Sequence, residues 1–154
     1  MTMLALDLGS KTGYAVVNGD SFVSGHVDFA PNKLRQFEGG GMRYLRFRRW
    51  LNELHAQTPI TEIVYEEVRR HKAVAAAHAY GAFQSTLSSW CEDNGVPYSS
   101  VPVGDIKGFA TGSRVAKKEL MLAIAFSRWG VDTRSDDEAD AVALLHYKLT
   151  DIFN

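Results

Sequence analysis

The strongest constraint in this chain is an apolar strand that runs straight into a carboxylate: Leu4-Ala5-Leu6-Asp7-Leu8, broken by Gly9-Ser10. Alternate residues of a strand face opposite sides, so Leu4, Leu6 and Leu8 share one face and Ala5, Asp7 and Gly9 the other. A run this apolar reads as a buried strand. A carboxylate at its end is costly to bury unless it binds something. An aspartate ahead of a glycine also suits a turn, so Asp7 carries weight only in company.

The rest of the chain supplies a fold for that strand. Gly13 to Val17 reads as a second strand, Asn18-Gly19 as a hairpin turn, and Ser21 to Phe29 as a third strand. Gly39-Gly40-Gly41 breaks the chain. In the helix after it, Tyr44, Phe47, Leu51 and Leu54 fall at helical spacing for a core, and Arg43, Arg46 and Arg49 fall three apart on another face. Glu62 to Tyr65 is a short strand entering Glu66. A long helix begins at Ala73, with Ala76, Tyr80, Phe83, Leu87 and Trp90 on one face, and Asn94-Gly95 ends it. Pro97 to Val101 reads as a fifth strand, and Lys117 to Trp129 and Asp136 to Ile152 as helices. The order β-β-β-α-β-α-β-α-α predicts an α/β fold, with a mixed central sheet of five strands flanked by helices.

Length suits a single domain over residues 1–154. Hydrophobic residues make up 45% of the chain, enough for one core and too many for a disordered segment. No apolar run approaches the ~20 residues of a membrane helix. The single cysteine, Cys91, excludes an intrachain disulfide and a cysteine-rich zinc site. A cytoplasmic protein without membrane attachment or organic cofactor is expected. The net charge of −1 does not announce a nucleic-acid partner, but its distribution is uneven. Lys33, Arg35, Arg43, Arg46, Arg48 and Arg49 stand against one acid, Glu38, whereas acids gather at Glu66-Glu67 and at Asp136-Asp137-Glu138 with Asp140. Cations bound by those acids would reverse the local charge.

Glu66 repeats the theme of Asp7 by closing an apolar stretch, Ile63-Val64-Tyr65. If the two strands are neighbours, their carboxylates meet. Glu67 then points to the opposite face, so only one of the pair enters the site. Asp137 and Asp140 are three apart and share a helix face; Asp136 and Asp140, four apart, can do the same. Acids in a first helical turn also complement the helix dipole. That explains Asp140 less well, because Ala139, Ala141, Val142 and Ala143 around it have a packed composition. An all-oxygen ligand set suits Mg²⁺ or Mn²⁺ rather than zinc. Two such ions ~4 Å apart can drive in-line displacement at phosphorus.

These residues carry a family resemblance. Leu4 to Tyr14 resembles the first-strand motif of RuvC-type Holliday junction resolvases, within the RNase H-like superfamily. Ile63-Val64-Tyr65-Glu66-Glu67-Val68 resembles their second acidic motif, and Asp137-Glu138-Ala139-Asp140-Ala141 their closing Asp-x-x-Asp-Ala motif. The resemblance selects Asp137 over Asp136. It implies an RNase H-like fold, a homodimer, and cleavage of a four-way DNA junction with two Mg²⁺ per site, Mn²⁺ able to substitute. Asp7, Glu66, Asp137 and Asp140 would be the catalytic metal ligands. Lys107 and Lys118 occupy the region where family members carry DNA-contacting lysines. Arg43, Arg46, Arg69 and Arg70 are expected to join them on backbone phosphates.

The chain also departs from the pattern. Leu8 stands where many bacterial members have proline. Arg69-Arg70-His71-Lys72 replaces the aromatic that wedges into the junction, and a basic loop grips phosphates rather than unstacking bases. The Leu8 change is expected to be harmless. The basic loop implies that junction opening is done differently or that the substrate is not a classical four-way junction. The Gly39 to Arg49 segment, unlike typical bacterial members, points to a phage or mobile-element branch. His146 is expected to pack or cap, and His71 is the better candidate among the histidines for a phosphate contact. Tyr80 and Trp90 are expected in the core or at a helix–helix dimer contact rather than as stacking platforms. Three other readings compete: a YqgF-like RNase, an actin-like ATPase carrying Asp7-Leu8-Gly9-Ser10-Lys11-Thr12-Gly13 as its phosphate loop, and a DNA-binding protein with a decayed site. The ATPase needs two related domains, for which the chain is too short.

Overall fold

The computed structural model describes residues 1–32 and 38–153. Lys33 and Arg35 of the basic run lie outside the described residues. The elements follow in the order β1 (Thr2–Asp7), β2 (Lys11–Asn18), β3 (Ser21–Asp28), α1 (Met42–Gln57), β4 (Glu62–Glu67), α2 (Val74–Asn94), β5 (Tyr98–Pro102), α3 (Val103–Thr111), α4 (Lys118–Trp129) and α5 (Asp136–Phe153). The sheet order is β3-β2-β1-β4-β5, so the Asp7 strand lies in the middle. β1 pairs antiparallel with β2 and parallel with β4; β2 and β3 are antiparallel, β4 and β5 parallel. This is the expected five-stranded mixed α/β sheet.

Alternation along β1 divides the core as anticipated. Leu4, Leu6 and Leu8 pack with Phe47 and Leu51 of α1 and with Phe83, Leu87 and Trp90 of α2. Met3 and Ala5 face the other way, onto Ala141, Val142 and Leu145 of α5, Ile106 of α3 and Met121 of α4. Each large side chain fully buried this way contributes about 1.5–3 kcal/mol. Among the described residues, no helix is long and apolar enough to cross a membrane.

Three details correct the sequence expectations. First, a helix, α3, follows β5 directly. Gly104 and Gly108 disguise it, since glycine disfavours helix interiors. In the structure the Arg114 side chain lies across both glycines and pairs with Asp105. Second, the β2–β3 reversal centres on Gly19-Asp20 rather than Asn18-Gly19, because Asn18 already pairs with Ser21. Gly19, at φ +74°, supplies the left-handed residue, and among the described residues none but glycines has positive φ. Third, Ala76 is exposed, because the first turns of α2 overhang the core that Tyr80, Phe83, Leu87 and Trp90 enter.

Candidate metal centre

β1 and β4 run side by side with Leu6 opposite Tyr65, so both strands deliver their terminal acids to the same sheet end. Alternation sends Asp7 and Glu66 to the face covered by α5, following Ala5 and Val64. From above, α5 supplies Asp140. One carboxylate oxygen from each of Asp7, Glu66 and Asp140 lies within 4.8 Å of the others. Asp137 stands one turn earlier on α5, near enough to act electrostatically on Asp7.

Glycine makes this approach possible. Asp7 pairs with Gly13 across the β1–β2 ladder. A Cβ at Gly13 would lie 1.9 Å from the carbonyl oxygen of Asp137 and 2.7 Å from the nitrogen of Glu138. The α5 backbone therefore rests directly on the sheet beside Asp7, and no other residue leaves room for it. Two further devices fix the helix start. The Ser135 hydroxyl accepts the Glu138 N–H at 3.2 Å, as an N-cap does. The Glu138 carboxylate accepts from Ser24 at 2.7 Å and from Thr133 at 2.8 Å, tying the first turn to β3. Glu138 is thereby occupied with structure, whereas Asp137 and Asp140 face the cluster.

The end of β4 has its own brace. The Tyr80 hydroxyl donates to the Glu66 carbonyl at 2.8 Å and accepts the Val68 N–H at 3.3 Å. Sequence reading places Tyr80 in the core, which is correct, but its hydroxyl also positions Glu66. Glu67 points away, taking Arg69 at 2.9 Å and Ser100 at 3.5 Å. Asp136 pairs with Lys118 at 3.4 Å.

Packing four carboxylates here disturbs their titration. Burial, then the charges of Glu66, Asp140 and Asp137, holds the Asp7 carboxyl well above the ordinary range. Burial with Glu66 and Asp136 nearby pushes Asp140 up to about 8, against the pull of Lys107. Burial likewise raises Glu66, with a hydrogen bond to Asp7 and then Lys107 opposing. Burial and then Asp136 raise Asp137, with Lys118 and Lys11 opposing. Like charges this close cannot all ionise without a cation among them. Glu66 is only 5% exposed, and its Oε2 is buried without a hydrogen-bond partner among the described residues. An orphaned carboxylate oxygen facing two more carboxylates is what a hard divalent cation would satisfy, so the donor set fits Mg²⁺ or Mn²⁺.

The basic residues fall into two groups. Lys107 on α3 acts on Glu66 and Asp140; Lys118, at the start of α4, adjoins Asp136 and Asp137. Arg69 and Arg70 are exposed beyond β4, Arg69 already paired with Glu67. Arg43 and Arg46, by contrast, stand on α1, in the helix layer on the other face of the sheet. Arg46 is tied to Glu38 and to the Ala30 carbonyl at 3.1 Å, and the Arg43 Nε is buried without a hydrogen-bond partner among the described residues. The structure thus does not bring these two to the acids. His146 packs as expected, stacked on Trp129 at 4.7 Å, with Nδ1 against the Val142 carbonyl. His71 tilts onto Tyr80 at 5.1 Å. Lys11, His26 and Arg134, which sequence reading did not single out, line a groove with Asp136 and Asp137. Only the register of the sheet and the α5 contact could have revealed them.

No family model matches this chain, and no curated protein does. Solved structures do. RuvC of T. thermophilus in complex with a Holliday junction substrate superposes with a TM-score of 0.77 at 19% identity, over 96% of this chain and 92% of that one. A second Thermus thermophilus RuvC structure gives 0.70 at 20% identity, over 96% and 92%. The yeast mitochondrial Holliday junction resolvase Ydc2 gives 0.63 at 17% identity, over 94% and 76%. The chain has the RNase H-like fold of RuvC-type resolvases.

Proposed function

We propose that the chain is a divalent-metal-dependent endonuclease that resolves four-way or other branched DNA junctions by phosphodiester hydrolysis. The observation that carries this reading is the convergence of Asp7, Glu66 and Asp140, with a buried, unpartnered Glu66 oxygen, at the sheet end of a fold shared with proteins named as Holliday junction resolvases.

In the reaction, water adds to phosphorus and the bond to the 3′ oxygen breaks. The products are a 5′-phosphate and a 3′-hydroxyl. Asp7, Glu66, Asp137 and Asp140 would hold two Mg²⁺ ions, for which Mn²⁺ can substitute, and these would lower the pKa of the attacking water and neutralise charge at the phosphate. Tyr80 and Gly13 are positioning residues, one bracing the backbone at Glu66 and the other admitting α5. Lys107, beside Glu66 and Asp140, presents positive charge to the substrate phosphate. Lys118, Arg69 and Arg70 hold flanking backbone, so affinity falls steeply with salt. Arg43 and Arg46 would serve a more distant arm. A four-way junction has two strands to cut, and one chain supplies one such cluster, so paired incision calls for a homodimer with two-fold symmetry.

A cleavage panel tests this reading. Four-way junction, flap, linear duplex and structured RNA are incubated with and without Mg²⁺, using wild type and Asp7→Asn. The expected result is Mg²⁺-dependent cutting of branched DNA by wild type alone, with junction binding retained in the variant. Cleavage by Asp7→Asn, or by wild type in excess chelator, contradicts it. Preferential cutting of RNA reassigns the substrate.

A further inference from the structure

The groove beside the acids gathers basic residues that have no ion partner among the described residues. Arg46, Arg48, Arg69, Arg114 and Lys118 are each committed to an acidic partner. Lys11, His26 and Arg134, all exposed, form no ion pair or side-chain hydrogen bond with the described residues, yet they line one cavity of about 270 Å³ with Ser135, Asp136 and Asp137.

Their placement follows from the sheet register. Asp7 pairs with Gly13, and Gly13 pairs with His26. The three residues form a row across β1, β2 and β3, and His26 lies two strands, roughly 10 Å, from Asp7. Lys11 opens β2 opposite Asp28, but the Asp28 carboxylate accepts the Ala30 N–H at 2.9 Å instead of pairing with it. Lys11 reaches Asp137 electrostatically. Arg134 enters from the segment that leads into α5. Cations from three separate stretches of chain therefore face one concave surface adjoining the carboxylates.

We propose that Lys11, His26 and Arg134 form a cradle for the DNA backbone, holding a phosphate of the cut strand next to the one positioned at Asp7. The inference rests on the nuclease reading and adds the direction of the strand: it leaves the acids over β2 and β3, across the α5 start. Lys11 and Arg134 supply charge, and the His26 imidazole supplies a hydrogen-bond donor. Unpaired cations beside a phosphate path release counterions on binding; those already in ion pairs do so less.

Binding of a fluorescent four-way junction is measured in chelator, across a salt series, for wild type and for Lys11→Ala with Arg134→Ala. Both side chains are exposed, and equal melting temperatures establish that the double variant folds. The expected result is weaker binding and a log–log salt slope shallower by about 2, near one unit for each phosphate that is no longer neutralised. Adding His26→Ala should weaken binding further without changing the slope. A remote pair, Arg48→Ala with Lys148→Ala, controls for net charge and should leave the slope near wild type. An unchanged slope in the first variant, or an equal change in the remote pair, overturns the cradle. Failure of the nuclease reading looks different: wild type then cuts no branched DNA with Mg²⁺, whatever the slopes.

Discussion

Against α1 and α2, the sheet presents Leu4, Leu6 and Tyr65 to Phe47, Phe83 and Trp90. Against α5 it presents Ala5, Ala15 and Gly13 to Ala141 and to the helix backbone itself. The first face is bulky, aromatic and tightly filled: Phe29, Phe47, Trp50 and Phe83 meet with ring centroids 5.4–6.3 Å apart. The second uses small residues to bring a helix backbone down onto a strand. The difference teaches where function is built. Large side chains bury area and supply stability. Small ones set the distance at which two acidic elements face each other, and only that face carries the carboxylates.

The largest effect should come from removing that closeness. Gly13→Ala puts a methyl group into the Asp137 carbonyl, so the start of α5 must lift away from Asp7. A misplacement of about 1 Å costs on the order of 100-fold in rate, and Mg²⁺-dependent junction cleavage should fall by at least that much. Leu87→Ala, on the bulky face, should do the reverse. Denaturant titration should register a loss of about 2–5 kcal/mol, while cleavage per folded molecule stays near wild type. If the two variants exchange phenotypes, the division of labour between the faces is wrong.

A subtler contrast lies in pH. The folded Asp140 carboxyl titrates at about 8, against about 3.9 in an unfolded chain. The folded state therefore holds the extra proton between those values, and metal-free stability falls as pH rises toward 8. Asp7, Glu66 and Asp137 are raised as well and act with the same sign. Burial lowers His146, which opposes this only below its ordinary value of 6.5. Between pH 6.5 and 8, thermal melts without metal should decline. Mg²⁺ should raise the midpoint more at pH 8 than at 6.5, because a cation replaces the proton. Asp140→Asn should make both trends shallower; an equally steep decline in that variant would remove Asp140 as a contributor.

The smallest effect belongs to the brace from the bulky face to the acidic one. Tyr80→Phe keeps the ring in the core but loses the hydroxyl between the Glu66 carbonyl and the Val68 N–H. Stability should drop by about 1 kcal/mol, with a modest loss of Mg²⁺ affinity read by calorimetry. No change in metal affinity would reduce Tyr80 to packing alone.

Much of this contrast is legible in the sequence, for identifiable reasons. Two-residue periodicity sorts Leu4, Leu6 and Leu8 from Ala5 and Asp7, and it sorts Val64 with Glu66 from Tyr65 with Glu67. The helical spacing of Tyr80, Phe83, Leu87 and Trp90 marks the bulky face. What stays hidden is set by contacts between distant segments. Nothing local tells that Gly13 must admit the backbone of residue 137, or that a core tyrosine hydroxyl ends at Glu66. The sequence reading assigns no helix after β5, and nothing local tells that Arg114, later in the chain, lies over Gly104 and Gly108. The arginine stripe of α1 is visible, but not that Arg46 is taken by Glu38 and Ala30.

Anomalous diffraction from crystals soaked in Mn²⁺ reaches the chemistry most directly. Strong peaks are expected at the end of β1 and β4, coordinated by oxygens of Asp7, Glu66 and Asp140, and they should be lost in crystals of Asp7→Asn. Clear density for these side chains at saturating Mn²⁺ with no peak among them, or a peak that survives in the variant, would contradict the assignment of this cluster as a metal centre.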